Sequence, residues 1–217
     1  MRISEIQLLS DDLDSTHRFY SHVLGLKVSF QDDQKISFIA GTSILTFIRS
    51  AKVCPIYHFA FNIPPHLLDE ALHWTRQRCA ILPLEDGEEI ADFTSWNAKA
   101  FYFKDNNGNI LEFIARYNLN IIVDSHFDSG CILSISEIGI VTDNVPALRK
   151  SISKKYQVPI FSKAPLPDNF TALGDDHGLF ILSQTARPWH PNQLPAQSYW
   201  SRIEFEAEGH QYRMQTK

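Results

Sequence analysis

One four-residue sequence occurs twice in the chain, and it constrains the fold more than any other feature. Residues 3–6 and 135–138 both read Ile-Ser-Glu-Ile. In each copy an aspartate follows six residues after the glutamate, and a helix signal comes next. Four matching letters can arise by chance, but the matching continuation predicts a chain built from repeated units.

Each repeated unit is predicted to have the element order β-α-β-β-β. A strand at 3–10 leads into a helix that Asp12 caps, because its carboxylate accepts hydrogen bonds from the free N–H groups of the first turn. Gly25 then suits the end of the helix. Further strands are predicted at 26–30, 35–39 and 44–48.

The same order restarts later in the chain. A second unit begins with a strand at 57–63, and a third begins with a strand at 131–141. A strand at 202–205 opens a fourth, incomplete unit. We therefore predict an α+β fold of about three and a half βαβββ units.

A hairpin at 100–116 closes the second unit. Two apolar runs flank the polar stretch Lys104–Asn109, whose Asn-Gly pair favours a tight turn. Side chains alternate between faces along the second strand, so Glu112 is a lone carboxylate among apolar residues. Burying a carboxylate is costly unless a cation or hydrogen-bond donors meet it. The pattern therefore predicts a partner for Glu112.

Composition excludes several classes of protein. The chain has 20 Lys and Arg against 25 Asp and Glu, so its charge of −5 argues against a nucleic-acid or membrane partner. Its 3 cysteines suggest neither a disulfide framework nor a zinc knuckle. We expect no transmembrane helix, since no apolar run approaches ~18 residues. The N-terminus has no signal-peptide pattern, and we expect a cytoplasmic protein.

Two motifs carry a resemblance to a known family. The first runs from Ser10–Ser15 to Phe19–Leu26, and the second is Phe101–Glu112. Together they resemble the vicinal oxygen chelate superfamily, which includes glyoxalase I, bleomycin-resistance proteins, fosfomycin-resistance proteins and extradiol dioxygenases. The motifs cover residues 3–116, and only the internal repeat supports the second half. The resemblance implies paired βαβββ modules that form half-open curved sheets around a metal.

The resemblance also implies a division into domains. Residues 3–116 would form one domain of two units, 117–131 a linker, and 132–217 a second, incomplete domain of the same type. Units one and two would close on each other within one chain or exchange with a second chain. The incomplete fourth unit leaves an exposed sheet edge, which favours a homodimer.

In such families the metal ligands come from the first and last strands of a unit. That register selects Glu5, His58 and Glu112, whereas the last strand of unit one offers Thr46. One histidine and two carboxylates suit a divalent metal ion such as Zn, Ni, Mn or Fe. The alternative for His58 is a hydrogen-bonded core histidine.

The second half departs from this pattern. Glu137 matches Glu5 in unit three, but Ile181 and Arg202 occupy the other ligand positions. We therefore expect that half to lack a metal site. A glutamate repeated where no metal is expected is also consistent with a strand-edge or helix-cap role for Glu5.

Two further residues are candidates for substrate binding. Tyr102 would face the cavity as a proton donor or as part of its wall. Arg116 shares a strand face with Glu112 and would bind an anionic substrate bidentately, with a surface arginine as the alternative.

The resemblance implies two functions of different classes. One is a metal-dependent enzyme that binds a small molecule through adjacent oxygens and performs isomerase, lyase or ring-opening dioxygenase chemistry, with Glu5 and Glu112 as catalytic residues. The other is a metal-free protein of the bleomycin-resistance type, which binds or sequesters a small molecule in an aromatic cavity. The presence of the Glu5, His58 and Glu112 set favours the enzyme.

Overall fold

A computed structural model describes residues 1–51, 54–163 and 166–216 of the 217-residue chain. The helices are α1 (Leu13–His17), which continues as a π-helical segment (Arg18–Val23), α2 (Leu68–Arg76) and α3 (Val145–Tyr156). The strands are β1 (Arg2–Ser10), β2 (Lys27–Gln31), β3 (Lys35–Ala40), β4 (Ser43–Arg49), β5 (His58–Ile63), β6 (Ile81–Leu82), β7 (Ala91–Phe93), β8 (Ala98–Lys104), β9 (Ile110–Arg116), β10 (Ser134–Thr142), β11 (Phe170–Asp175), β12 (Gly178–Gln184), β13 (Pro188–Trp189), β14 (Leu194–Pro195), β15 (Arg202–Ala207) and β16 (His210–Gln215).

Local sequence explains how the first unit begins. Ile6 and Leu8 in β1 are fully buried, whereas Glu5 lies on the opposite, partly exposed face, as the alternation predicts. The Asp12 carboxylate caps α1 by accepting from the Ser15 N–H at 2.9 Å. Gly25 ends the helix with a φ of +69°, which glycine adopts without strain.

Most strands form two large sheets that contain both parallel and antiparallel pairs. The six-stranded sheet has the order β16-β15-β1-β4-β3-β2. The eight-stranded sheet follows the order β11-β12-β10-β5-β9-β8-β6, with β7 also paired to β8. The predicted α+β fold of βαβββ units is confirmed.

Each large sheet joins two units through antiparallel first strands. In the eight-stranded sheet β5 of unit two pairs with β10 of unit three, and in the six-stranded sheet β1 of unit one pairs with β15 of unit four. The repeat also has a geometric counterpart, because the register shifts between Ile3 and Glu5 and again between Ile135 and Glu137. Units one and two therefore do not share a sheet, and the sheets do not follow the sequence division at residue 116.

The two sheets are tied together near their first strands. The Ser43 hydroxyl donates to the Ile3 carbonyl at 2.6 Å and accepts from the Ile135 N–H at 3.0 Å. Ile3 is in the six-stranded sheet and Ile135 is in the eight-stranded sheet, so one buried hydroxyl connects both.

The eight-stranded sheet has two chemically different faces. One face carries a buried aromatic cluster, in which the Phe113 ring lies 5.0 Å from Phe103 and 5.9 Å from Phe61. Alternation turns Glu112 to the other face. None of the helices in the described ranges is long and apolar enough to cross a membrane.

Candidate metal site

Three neighbouring strands bring a histidine and two glutamates together. His58 begins β5, and the strands on either side of β5 supply Glu112 from β9 and Glu137 from β10. Each residue offers one ligand atom, and these atoms lie within 4.8 Å of one another. All three side chains are buried. One imidazole and two carboxylates are donor groups that suit a divalent metal ion of intermediate hardness.

The protonation of His58 can be read from its contacts. Nδ1 lies 3.1 Å from the Ile110 carbonyl, which only accepts, so Nδ1 carries the hydrogen. Nε2 then presents its lone pair, as a metal-ligating imidazole requires. Burial lowers the pKa of His58 to about 4, which keeps the ring neutral near pH 7.

His58 Nε2 faces Glu112 Oε2 at 3.6 Å. This separation is longer than a hydrogen bond of about 2.7–3.2 Å, so a single proton bridges the two atoms poorly. It suits two ligands of one metal ion, each bonded at roughly 2.0–2.2 Å. The pair of facing acceptors therefore fits a bound metal.

The two carboxylates also favour a cation. Burial raises the pKa of Glu112 well above its ordinary value, and the nearby charge of Glu137 raises it further. Burial likewise raises the pKa of Glu137, while Arg116 opposes that change. A divalent ion between the carboxylates would offset both the desolvation and the repulsion.

A cavity of about 380 Å³ opens onto the three ligands. Its lining residues are His58, Phe93, Ser95, Trp96, Tyr102, Glu112, Glu137, Phe170, Ile181, Arg187, Trp189 and His190. Tyr102 is the cross-strand neighbour of Glu112. Burial raises the pKa of Tyr102 well above its ordinary value, and the charges of Glu112 and Glu137 add to the effect, so the phenol keeps its proton.

Two segments that contain the short strands β7 and β13 line the cavity. One contributes Phe93 and Trp96, and the other contributes Trp189 and His190. The Trp189 ring lies 5.1 Å from the His58 ring. Gly139 makes this position available, because a Cβ there would lie 2.7 Å from Cη2 of the indole.

Comparison with known proteins relates this architecture to solved structures. No family model matches the sequence, and no curated protein matches it. A Bacillus subtilis subsp. subtilis str. 168 protein, described as a candidate dioxygenase, matches over 99% of this chain and 84% of its own, with 14% identity and a TM-score of 0.62. A glyoxalase/bleomycin resistance protein/dioxygenase from Nocardioides matches over 54% of this chain and 83% of its own, with 21% identity and a TM-score of 0.44. The chain has the vicinal oxygen chelate fold. At these identities the likeness shows the fold alone.

Within the vicinal oxygen chelate fold of this chain, Glu5 does not join the ligand set. It lies in the six-stranded sheet, where its Oε1 accepts from Thr46 Oγ1 at 2.7 Å and from Gln7 Nε2 at 3.1 Å. The structure brings only His58 and Glu112 of the predicted trio together, because unit two shares its sheet with unit three. Glu137, rather than Glu5, therefore stands beside His58.

Arg116 was expected either to bind a substrate or to lie at the surface, and the structure places it in neither environment. Its side chain is fully buried, so it is not a surface arginine, and it is not among the residues that line the cavity. The guanidinium donates to Glu137 through Nη2 and to Ser136 Oγ at 3.1 Å through Nε. In this structure Arg116 therefore contacts the candidate ligand Glu137.

Sequence reasoning missed several residues of the site. Glu137 carried a usable signal, namely its position in the repeated Ile-Ser-Glu-Ile sequence, but the third unit was expected to lack a metal. Arg187 and His190 carried none, because they lie in an irregular segment far along the chain from His58. Fold geometry alone brings that segment over the cavity.

Proposed function

We propose that this protein is a metal-dependent enzyme that acts on a small molecule bound through two adjacent oxygens. The observation that carries the proposal is the pair of acceptor atoms, His58 Nε2 and Glu112 Oε2, that face each other 3.6 Å apart. Glu137 adds a third ligand atom within 4.8 Å. Three protein ligands leave coordination positions open for water or substrate.

A divalent ion such as Mn²⁺, Fe²⁺, Ni²⁺ or Zn²⁺ would polarise a substrate oxygen in this cavity. The residues around it would then position the substrate and move a proton. Tyr102 retains its hydroxyl proton and is suited to donate a hydrogen bond to a substrate oxygen. Desolvation lowers the pKa of His190, whose ring lies 5.2 Å from Tyr102, and a neutral imidazole there is suited to accept a proton.

Two reaction classes fit this arrangement. Isomerase or lyase chemistry needs a polarised carbonyl and a proton acceptor, whereas ring-opening dioxygenation needs a redox-active ion such as Fe²⁺. The identity of the metal separates them, since nickel or zinc favours the first class and iron favours the second.

The test is metal analysis of protein purified without a metal-affinity tag, by inductively coupled plasma mass spectrometry before and after reconstitution. We expect about one equivalent of a transition metal in the native protein. His58→Ala, Glu112→Gln and Glu137→Gln should each reduce metal uptake at least tenfold.

Glu5→Gln is the matched control, because Glu5 occupies the equivalent strand position in the six-stranded sheet. It should bind metal like the native protein. Absence of metal after reconstitution, or equal loss in Glu5→Gln, would contradict the proposal. The first result would favour a metal-free binding protein with an aromatic cavity.

A further inference from the structure

We infer that the substrate is a small aromatic acid whose anionic group binds Arg187 while two adjacent oxygens bind the metal. This inference rests on the proposed function and extends it to a class of substrate. It depends on three features of the cavity, namely an arginine without a carboxylate partner, a set of aromatic walls and a positively charged floor.

Backbone hydrogen bonds within residues 184–196 hold Arg187 in place. The Arg187 N–H donates to the Gln184 carbonyl at 3.1 Å, and the Ala196 N–H donates to the Arg187 carbonyl at 2.9 Å. The guanidinium carbon lies 4.3 Å from the centre of the Phe170 ring, and both residues line the cavity. Arg187 is therefore half-buried on an aromatic surface, with its backbone already ordered.

Arg187 differs from Arg76, Arg116 and Arg213, each of which pairs with a carboxylate. Arg116 pairs with Glu137, and Arg76 pairs with Glu89. Within residues 1–51, 54–163 and 166–216, no carboxylate oxygen lies within 4.0 Å of the Arg187 guanidinium nitrogens. The guanidinium donates one long hydrogen bond, from Nη1 to the Pro188 carbonyl at 3.4 Å. A partly desolvated cation is costly without a counter-ion, and a ligand carboxylate would supply a bidentate one.

Aromatic side chains dominate the cavity walls. They come from four separate parts of the chain and are Phe93, Trp96, Tyr102, Phe170 and Trp189. Aromatic faces and edges stack favourably on a planar ring in offset or edge-on geometry. The volume of about 380 Å³ lies near the lower end of ligand cavities, which span roughly 300–1,000 Å³, and favours a compound with a single ring.

The floor of the cavity, formed by His58, Glu112 and Glu137, determines which group of the ligand binds there. With a divalent ion bound, its two positive charges balance those of Glu112 and Glu137. Arg116 adds one positive charge, and Asp176, at 3.9 Å from Arg116, is itself balanced by Lys163 at 2.9 Å, so the group keeps one net positive charge. His58 is neutral and does not change this balance. A chelating group that carries negative charge is therefore favoured at the floor, with the second anionic group at Arg187.

The experiment compares acids with their neutral esters. The probes are 3,4-dihydroxybenzoate and 3,4-dihydroxyphenylacetate, each beside its methyl ester, and binding is measured by isothermal titration calorimetry on Zn²⁺-reconstituted and on metal-free protein. At least one acid should bind about tenfold more tightly than its ester, as a charge-assisted pair typically provides. Arg187→Gln should reduce that ratio to within about twofold, and Arg187→Lys should retain part of it.

Arg78→Gln is the control, because Arg78 is exposed and lies against Trp74 rather than in the cavity. It should leave the ratio unchanged. Equal binding of acid and ester, an unchanged ratio in Arg187→Gln, or no binding of any probe would overturn the inference. Failure of the proposed function is separately visible as absent metal uptake, and the acid-to-ester ratio in metal-free protein still reports on Arg187.

Discussion

Arg116 and Glu137 form an ion pair whose side chains are only 0% and 4% exposed. The pair joins β9, the last strand of unit two, to β10, the first strand of unit three. These two strands flank β5, which carries His58. The ion pair therefore fixes one candidate ligand and offsets part of the negative charge that the two glutamates bring into the site.

Removing the cation from this pair should destabilise the metal-free protein. Arg116→Met leaves Glu137 buried without its partner, and we expect the free energy of unfolding to fall by about 3–5 kcal/mol. Urea denaturation, followed by circular dichroism, measures the loss. The double variant Arg116→Met with Glu137→Leu should be clearly more stable than Arg116→Met alone. If the double variant is equally unstable, the loss comes from packing rather than from an unpaired charge.

Local patterns in the sequence predicted much of the fold. The alternation in β1 correctly separated the buried Ile6 from Glu5, and the same reasoning separated Phe113 from Glu112. The Asp12 cap and the Gly25 terminus depend on neighbouring residues alone, so both could be recognised without a structure. His58 and Glu112 were placed on one face because the spacing within their strands decides it.

The partners of the strands could not be predicted in this way. Hydrogen bonds between strands are made by backbone groups that every unit presents, so the sequence did not indicate that β5 pairs with β10 rather than with β1. That single pairing places Glu137, rather than Glu5, beside His58 and Glu112. It also buries Arg116, which looked like a strand-end residue when its unit was considered alone.

A buried carboxylate outside the site gives a second prediction. Asp105 Oδ2 accepts from Tyr20 Oη at 2.6 Å and from Asn109 Nδ2 at 2.8 Å, while Oδ1 accepts from the Asn107 and Asn109 N–H groups. Asp105→Asn turns an amide donor toward these donors, and we expect a loss of about 1–3 kcal/mol in unfolding free energy. Thermal and urea unfolding measure it. The exposed Asp11→Asn should change stability little, and a neutral result for Asp105→Asn would contradict this account.

A pH-dependent contact anchors the segment after β9. Glu70 Oε2 accepts from the Phe127 N–H at 3.1 Å, and this hydrogen bond lowers the pKa of Glu70 below its ordinary value of 4.5. Because the folded pKa is the lower one, the contact is complete above pH 4.5 and is lost as the pH falls through the folded value. The Phe127 amide resonance should therefore titrate with a midpoint below 4.5. Glu70→Gln should abolish that transition, and a midpoint at or above 4.5 would refute the assignment.

The packing of Trp189 against Gly139 gives the last prediction. An alanine at Gly139 would place its Cβ 2.7 Å from Trp189 Cη2 and 3.2 Å from the His58 carbonyl oxygen. Gly139→Ala should therefore displace the indole, destabilise the protein by about 1–3 kcal/mol and shift the tryptophan emission to the red.

Trp189→Phe supplies the matched background for this test, because phenylalanine lacks the ring atoms that the new methyl group would meet. Gly139→Ala should cost much less stability in the Trp189→Phe background than in the native one, as urea unfolding of the four proteins would measure. Equal costs in both backgrounds would locate the strain at the His58 carbonyl instead. The position of the indole would then be set by residues 184–196 rather than by the space at Gly139.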